Sequence, residues 1–154
     1  MTAAKLNVRS APTNGAPTRV LALDYGQKRI GLALSDDARL TAQPLAALIR
    51  TNRRDDVTRL RARIREHGVA ELVVGLPLHL DGTISEMSDE VRRFAERLQK
   101  HLGLPVHLVD ERLTSWDAEN SRAETGSRKD RDSLAAAIIL RDFLAASAHA
   151  ARKS

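Results

Sequence analysis

The sequence predicts an α/β fold, a mixed five-stranded sheet flanked by helices, and three observations predict it. Apolar runs at residues 20–23, 29–35 and 44–49 lie close together, as in a meander of short strands. Two more short apolar runs, 71–75 and 106–109, each follow a stretch of helical period, the pattern of parallel strands joined by crossovers. The last long run, from Asp132 to about His149, is apolar nearly all round, which predicts a buried helix.

Each element has a local reason. Residues 1–18 mix small, polar, Pro and Gly residues without period, so a flexible leader is expected before a domain spanning 19–150. Val20 to Leu23 reads as a strand ending at Asp24, Tyr25 to Lys28 as a turn, and Arg29 to Ser35 as the returning strand. Pro44 to Ile49 suits an edge strand, because proline at a strand start sacrifices no ladder bond. Asn52 can cap a helix with Val57, Leu60 and Ile64 on one face, and Gly68 can end it. Glu71 to Gly75 reads as a short buried strand, followed by a loop from Leu76 to Gly82.

Thr83 with Glu86 makes a capping box for a helix that turns Met87, Val91, Phe94, Ala95 and Leu98 inward. Val106 to Val109 is predicted as another short buried strand, closed by Asp110-Glu111-Arg112. Thr114 and Asp117 signal a further helix that stops near Gly126, and Ser127 to Arg131 reads as a polar basic loop. Three meandering strands, then βαβ crossovers, then helices give a ribonuclease H-like architecture.

Composition narrows the function. The 154 residues include 25 Lys+Arg against 20 Asp+Glu, a net charge of +5, which favours an anionic partner such as nucleic acid. The abundance of arginine is equally what a genome-wide codon bias would produce. Aromatic residues are 3% of the chain, too few for a base-stacking platform, so a nucleic acid would be gripped by backbone and shape. The absence of cysteine excludes disulfides, Cys-ligated zinc and thiol catalysis. The longest wholly apolar run, Leu134 to Leu140, is far shorter than a bilayer span, and with no signal peptide visible the expected compartment is the cytoplasm, with no membrane partner.

The acids fall where strands stop. Asp24 closes the first strand, Asp110 and Glu111 close the last, and Asp81 lies in the loop after the middle parallel strand. Ligands of open α/β sheets gather at the carboxyl ends of parallel strands, and crossovers bring those ends together. Asp132 is expected to open the final helix across the same edge. Clustered carboxylates suit hard divalent cations, which can activate water and stabilise the leaving oxygen of a phosphodiester. Lys28, Arg29, Arg112, Arg128, Lys129 and Arg131 stand beside these acids as candidate phosphate contacts. Structural alternatives stand beside each: Asp24 and Asp81 as turn formers, Asp132 as a helix cap, Glu111 with Arg112 as a surface ion pair. The arginines from Arg53 to Arg65 spread around their helix, which suits a solvated face. Among five histidines with no metal-ligand spacing, only His79 falls in a candidate site loop.

Four motifs resemble one known family. Asp24-Tyr25-Gly26-Gln27-Lys28-Arg29-Ile30-Gly31 resembles the D-x-G-x-K-R-I-G opening of the YqgF (RuvX) family. Val74 to Thr83 is similar to its V-G-L-P-L-N-M-D-G-T loop, Asp110 to Thr114 to D-E-R-L-T/S, and Asp132 to Ala136 to D-S-x-A-A. Together they cover residues 19–145; His79 in place of Asn and a more charged Lys129-Asp130-Arg131 depart from the pattern.

The resemblance implies a ribonuclease H-like, Mg²⁺- or Mn²⁺-dependent nuclease akin to Holliday-junction resolvases, with pre-16S rRNA 5′-end maturation as the function generally described for the family. Cleavage of branched DNA is the competing assignment. By motif position Asp24, Glu111 and Asp132 would be the catalytic, metal-holding carboxylates and Asp110 a weaker ligand. Lys28, Arg29, His79, Asp81, Arg112, Arg128 and Lys129 would contact a structured RNA or a branched DNA. A monomer or a homodimer is compatible with these expectations. Two readings from other classes remain at this level, an actin-fold phosphotransferase, since Asp24-x-Gly26 also fits a phosphate turn, and a non-catalytic RNA- or ribosome-binding module.

Overall fold

A computed structural model describes residues 16–77, 86–110 and 128–153, and the side chains of all of these except 128–132 and 151–153. Five strands and three helices are described: β1 (Arg19–Tyr25), β2 (Arg29–Ser35), β3 (Ala42–Ile49), α1 (Arg53–His67), β4 (Val69–Leu76), α2 (Glu86–Leu102), β5 (Val106–Asp110) and α3 (Arg128–Lys153). The sheet order is β3-β2-β1-β4-β5. β1 and β2 pair antiparallel, as do β2 and β3, whereas β4 runs parallel to both β1 and β5. The expected mixed sheet is therefore present, with the meander on one side and the crossovers on the other.

Local chemistry explains the boundaries. The Asn52 side chain accepts a hydrogen bond from the Asp55 amide at 2.9 Å, satisfying one of the orphan donors at the start of α1. Gly68, at φ 68°, ends α1 in the left-handed conformation, and its amide reaches the Ile64 carbonyl. Pro44 sits in edge strand β3 opposite Ala33, where no outer neighbour needs its missing N–H.

Two cores line the two faces of the sheet. On one, Leu21, Leu23, Leu72 and Val74 meet Leu60 and Ile64 of α1 and Val91, Phe94 and Leu98 of α2. On the other, Val20, Ala22, Ala33 and Val73 meet Ala136, Ala137, Ile139 and Leu140 of α3. Helix α3 crosses the sheet from β3, where the Ser133 hydroxyl donates to the Leu45 carbonyl at 2.6 Å, to β5, where Phe143 lies 5.3 Å from His107 between ring centroids.

Three expectations are corrected. β5 is an edge strand of the described sheet, with Leu108 37% exposed, rather than a buried one. α3 begins at Arg128, so residues 128–131 are helical and Asp132 lies in the second turn instead of opening the helix. Lysine and arginine are good helix formers, so a charged stretch read as loop was the first turn of a helix. Among the described side chains of α3 the buried ones fall between Ser133 and Leu144, residues 145–150 being exposed. Its 26 residues extend about 39 Å, longer than five strands are wide. By length and composition Ser133–Ala150 is apolar enough to cross a bilayer; its first two-thirds pack on the sheet as a core helix does. The helix expected between Thr114 and Gly126, the Thr83 cap and residues 1–15 lie outside the described residues.

Candidate active site at the carboxyl rim of the sheet

The strand register sets the rim. Leu23 pairs with Val74, Gly75 with Val109 and Leu76 with Asp110, so β1, β4 and β5 end side by side. Asp24, half-buried, stands at this edge one residue beyond Leu23. Side chains alternate along a strand, and Val20 and Ala22 belong to the α3 face, so Asp24 takes that face too. Asp110 reaches the same rim on the other side of the sheet. Val109 packs on the α3 core and Val106 on the opposite one, which assigns Asp110 to the α2 face.

The turn after Asp24 is built tightly. A Cβ on Gly26 would stand 2.6 Å from the Arg29 carbonyl oxygen, so only glycine lets the chain pass there. Lys28 is exposed at the tip and Arg29 half-buried at the start of β2. Tyr25 turns to the α2 face, where its hydroxyl donates to Glu90 Oε2 at 2.5 Å and its ring lies 4.8 Å from Phe94. Burial, followed by the hydrogen bond to Glu90, pushes the Tyr25 phenol above its ordinary pKa. The Arg50 guanidinium lies over the ring at 4.7 Å from its centroid.

Arg50 in turn donates through Nη1 to the Gly26 carbonyl at 3.1 Å and through Nε to Asp56 Oδ2 at 3.0 Å. Asp56 is 1% exposed, and its other oxygen accepts from the Thr51 amide and from Arg59. Sequence reasoning missed this cluster. The signal was an acid in the first turn of a helix at a position that the apolar stripe of α1 places inward, beside Val57 and Leu60.

The other predicted site residues divide into two groups. His79, Asp81, Glu111 and Arg112 lie outside the described residues. Arg128, Lys129 and Asp132 belong to the first two turns of α3, whose backbone alone is described there. Position 132 falls on the stripe of 136, 139 and 143, which carries residues of the α3 core. The neighbouring Ser133 is bonded at Leu45, which lies in the strand row of Leu32 and Leu23, one residue short of Asp24. Among the described residues, no group of three or more His, Asp or Glu side chains is placed to hold a metal.

Comparison with known proteins adds a family. The RuvX profile, described as a Holliday junction resolvase, matches residues 18–146. A relative from Koribacter versatilis, named "Putative pre-16S rRNA nuclease", is 47% identical over 133 residues, covering 82% of this chain and 86% of its own. One from Syntrophus aciditrophicus with the same name is 47% identical over 131 residues, covering 82% and 87%. Among solved structures, Thermus thermophilus RuvC superposes with a TM-score of 0.53 at 14% identity, covering 85% of this chain and 96% of that one. The same RuvC bound to a Holliday junction substrate gives 0.52 at 17% identity, covering 84% and 95%. That likeness carries the ribonuclease H-like fold, and the matched sequence carries more: this chain belongs to the RuvX family, a family of nucleases that hydrolyse phosphodiester bonds.

Proposed function

We propose that this protein is a divalent-metal-dependent endonuclease acting in 5′-end maturation of pre-16S rRNA. The observation that carries the proposal is Asp24 at the carboxyl rim, on the same sheet face as the start of α3. Leu45 and β1 stand two strand spacings apart, roughly 10 Å, a gap that side chains reaching from both sides of a cation can close. Glu111, next to Asp110 in the sequence, is the further acid that the family motif supplies. Asp24, Glu111 and Asp132 together offer the hard oxygen donors that Mg²⁺ or Mn²⁺ prefer, with Asp110 as a weaker contributor from the other face.

When bound, such a cation supplies Lewis-acid polarisation of the phosphate and a water of lowered pKa. The chain supplies the rest. The carboxylates orient the charge, and Lys28, exposed on the turn beside Asp24, and Arg29 reach the flanking phosphates. Arg112, Arg128 and Lys129 would extend that grip, with His79 and Asp81 as further substrate contacts. Pre-16S rRNA is the substrate in the relatives' names, and a structured RNA is the reading we favour; a branched DNA is the second, in keeping with the family's description as a Holliday junction resolvase. A monomer suffices for RNA trimming and a two-fold homodimer would match a four-way junction, so sedimentation separates the two. The cytoplasm is the compartment we propose.

The test is cleavage of a pre-16S rRNA 5′ segment and of a four-way junction at equal salt, with Mn²⁺ and with chelator. Wild type should cut the RNA faster and stop on chelation. Asp24→Asn should lose on the order of 10³-fold, about 4 kcal/mol in the barrier, with an unchanged melting temperature. Wild type inert on both substrates with metal, or Asp24→Asn at full rate, defeats the proposal.

A further inference from the structure

We infer that Arg50 is a positioning residue for the candidate site, locking the turn that follows Asp24 and carries Lys28. This rests on the reading of Asp24 as a cation-holding residue. Arg50 follows β3 directly and lies across the sheet from the face on which Asp24 stands. Its contacts concentrate on one short segment. The guanidinium stacks on Tyr25 at 4.7 Å and bonds the Gly26 carbonyl at 3.1 Å, while the Arg50 amide bonds the Lys28 carbonyl at 2.9 Å. Three of the four residues after Asp24 are therefore held by one residue.

The clamp is itself fixed. The Arg50 side chain is 16% exposed, and its Nε is held by Asp56, whose side chain is 2% exposed and anchored by the Thr51 amide and Arg59. With its guanidinium largely buried and committed to Tyr25, the Gly26 carbonyl and Asp56, Arg50 is not a candidate phosphate contact; its work is geometric. Successive side chains on a strand point to opposite faces, so a twist at Tyr25 re-aims Asp24. Pinning the Tyr25 ring and the Gly26 carbonyl from the α1–α2 side holds the Asp24 carboxylate in a fixed direction on the α3 side. Lysine cannot replace this, because an ammonium cannot stack flat on the ring while serving the Gly26 carbonyl and Asp56 in separate fixed directions.

The experiment is a calorimetric titration with Mn²⁺ alone, beside cleavage measured against Mn²⁺ concentration, on wild type, Arg50→Lys, Tyr25→Leu and Asp24→Asn. Arg50→Lys should weaken Mn²⁺ binding about tenfold, the lower end of what loss of a residue supporting a metal ligand costs. Saturating Mn²⁺ should restore most of its cleavage rate, whereas loss of fold alone would lower the rate at every Mn²⁺ concentration. Tyr25→Leu removes the platform under the guanidinium and should shift the Mn²⁺ midpoint in the same direction, which keeps the inference testable if Arg50→Lys folds poorly. If both variants titrate like wild type while Asp24→Asn loses Mn²⁺, the inference is overturned and the nuclease reading stands. If Asp24→Asn binds Mn²⁺ as wild type does, the cation reading falls and takes the clamp's purpose with it.

Discussion

The two faces of β1 are built from different materials. Toward α1 and α2 the strand presents Leu21, Leu23 and Tyr25, packed against large side chains and finished by the Arg50–Asp56–Glu90 polar cluster. Toward α3 it presents Val20, Ala22 and Asp24, and the facing helix answers with Ala136, Ala137 and Ile139. Large side chains and a buried ion pair fix the strand from one side. Small ones let α3 approach closely on the other, and that is the side on which the candidate catalytic acid stands. One face anchors the strand, and the opposite face carries the proposed site.

The strongest way to break this division is to remove the anchor. Asp56→Ala leaves the guanidinium of Arg50 without its buried carboxylate, and loss of one partner of a buried pair costs about 3–5 kcal/mol. Chemical denaturation should show that loss, and the Gly26 and Lys28 amides should exchange hydrogen faster than the amides of Ala22 and Val73. Equal acceleration throughout the sheet would mean that the cluster supports the fold generally and not the turn.

How much of this was readable from residues alone differs between the faces. The continuous apolar run of β1, the Asn52 cap, the Gly68 stop and the inward stripe of α2 all follow from local sequence, and each stands where that sequence puts it. The placement of Asp24 at a strand end was legible for the same reason. Asp56 was not, because an acid in a first helical turn is ordinarily an exposed partner of the helix dipole. Its burial depends on Arg50, six residues earlier and directly after β3, and the turn from strand to helix that brings the two together breaks both periodicities. The start of α3 failed for a different reason: Arg128 to Arg131 carry no apolar stripe, so periodicity was silent where intrinsic propensity continued the helix.

A milder change sharpens the comparison from the other side. Ala22 is fully buried in the α3 core, and Ala22→Leu overpacks that layer at a cost of about 1–3 kcal/mol. The added volume pushes against α3, the helix that carries Asp132, so cleavage should fall further than the stability loss alone explains. A Leu23→Met exchange on the anchoring face, which nearly conserves volume, should leave cleavage at wild-type level. Equal effects of the two changes on cleavage would remove the functional distinction between the faces.

The smallest effect lies at the far rim, near the amino end of β4, where Glu71 meets Arg39 Nη1 at 2.8 Å and His107 Nε2 at 2.9 Å. Burial raises the Glu71 carboxyl, but hydrogen bonds from Arg39 and His107 outweigh it and hold its pKa below the ordinary 4.5. A carboxylate with a depressed folded pKa contributes stability that is fully present above its unfolded value and is lost as pH falls through the folded one. Glu71→Gln should therefore lower stability at neutral pH by less than about 1 kcal/mol. The gap from wild type should begin to narrow as pH drops below the 4.5 of the unfolded carboxyl and vanish only below the lower folded value, as followed by thermal unfolding across the acid range. A gap that widens in acid would reverse the sign assigned to Glu71. Because this cluster sits at the opposite end of the strands from Asp24, the same variant should cleave like wild type, and any loss of rate would mean that the two rims are coupled through β4.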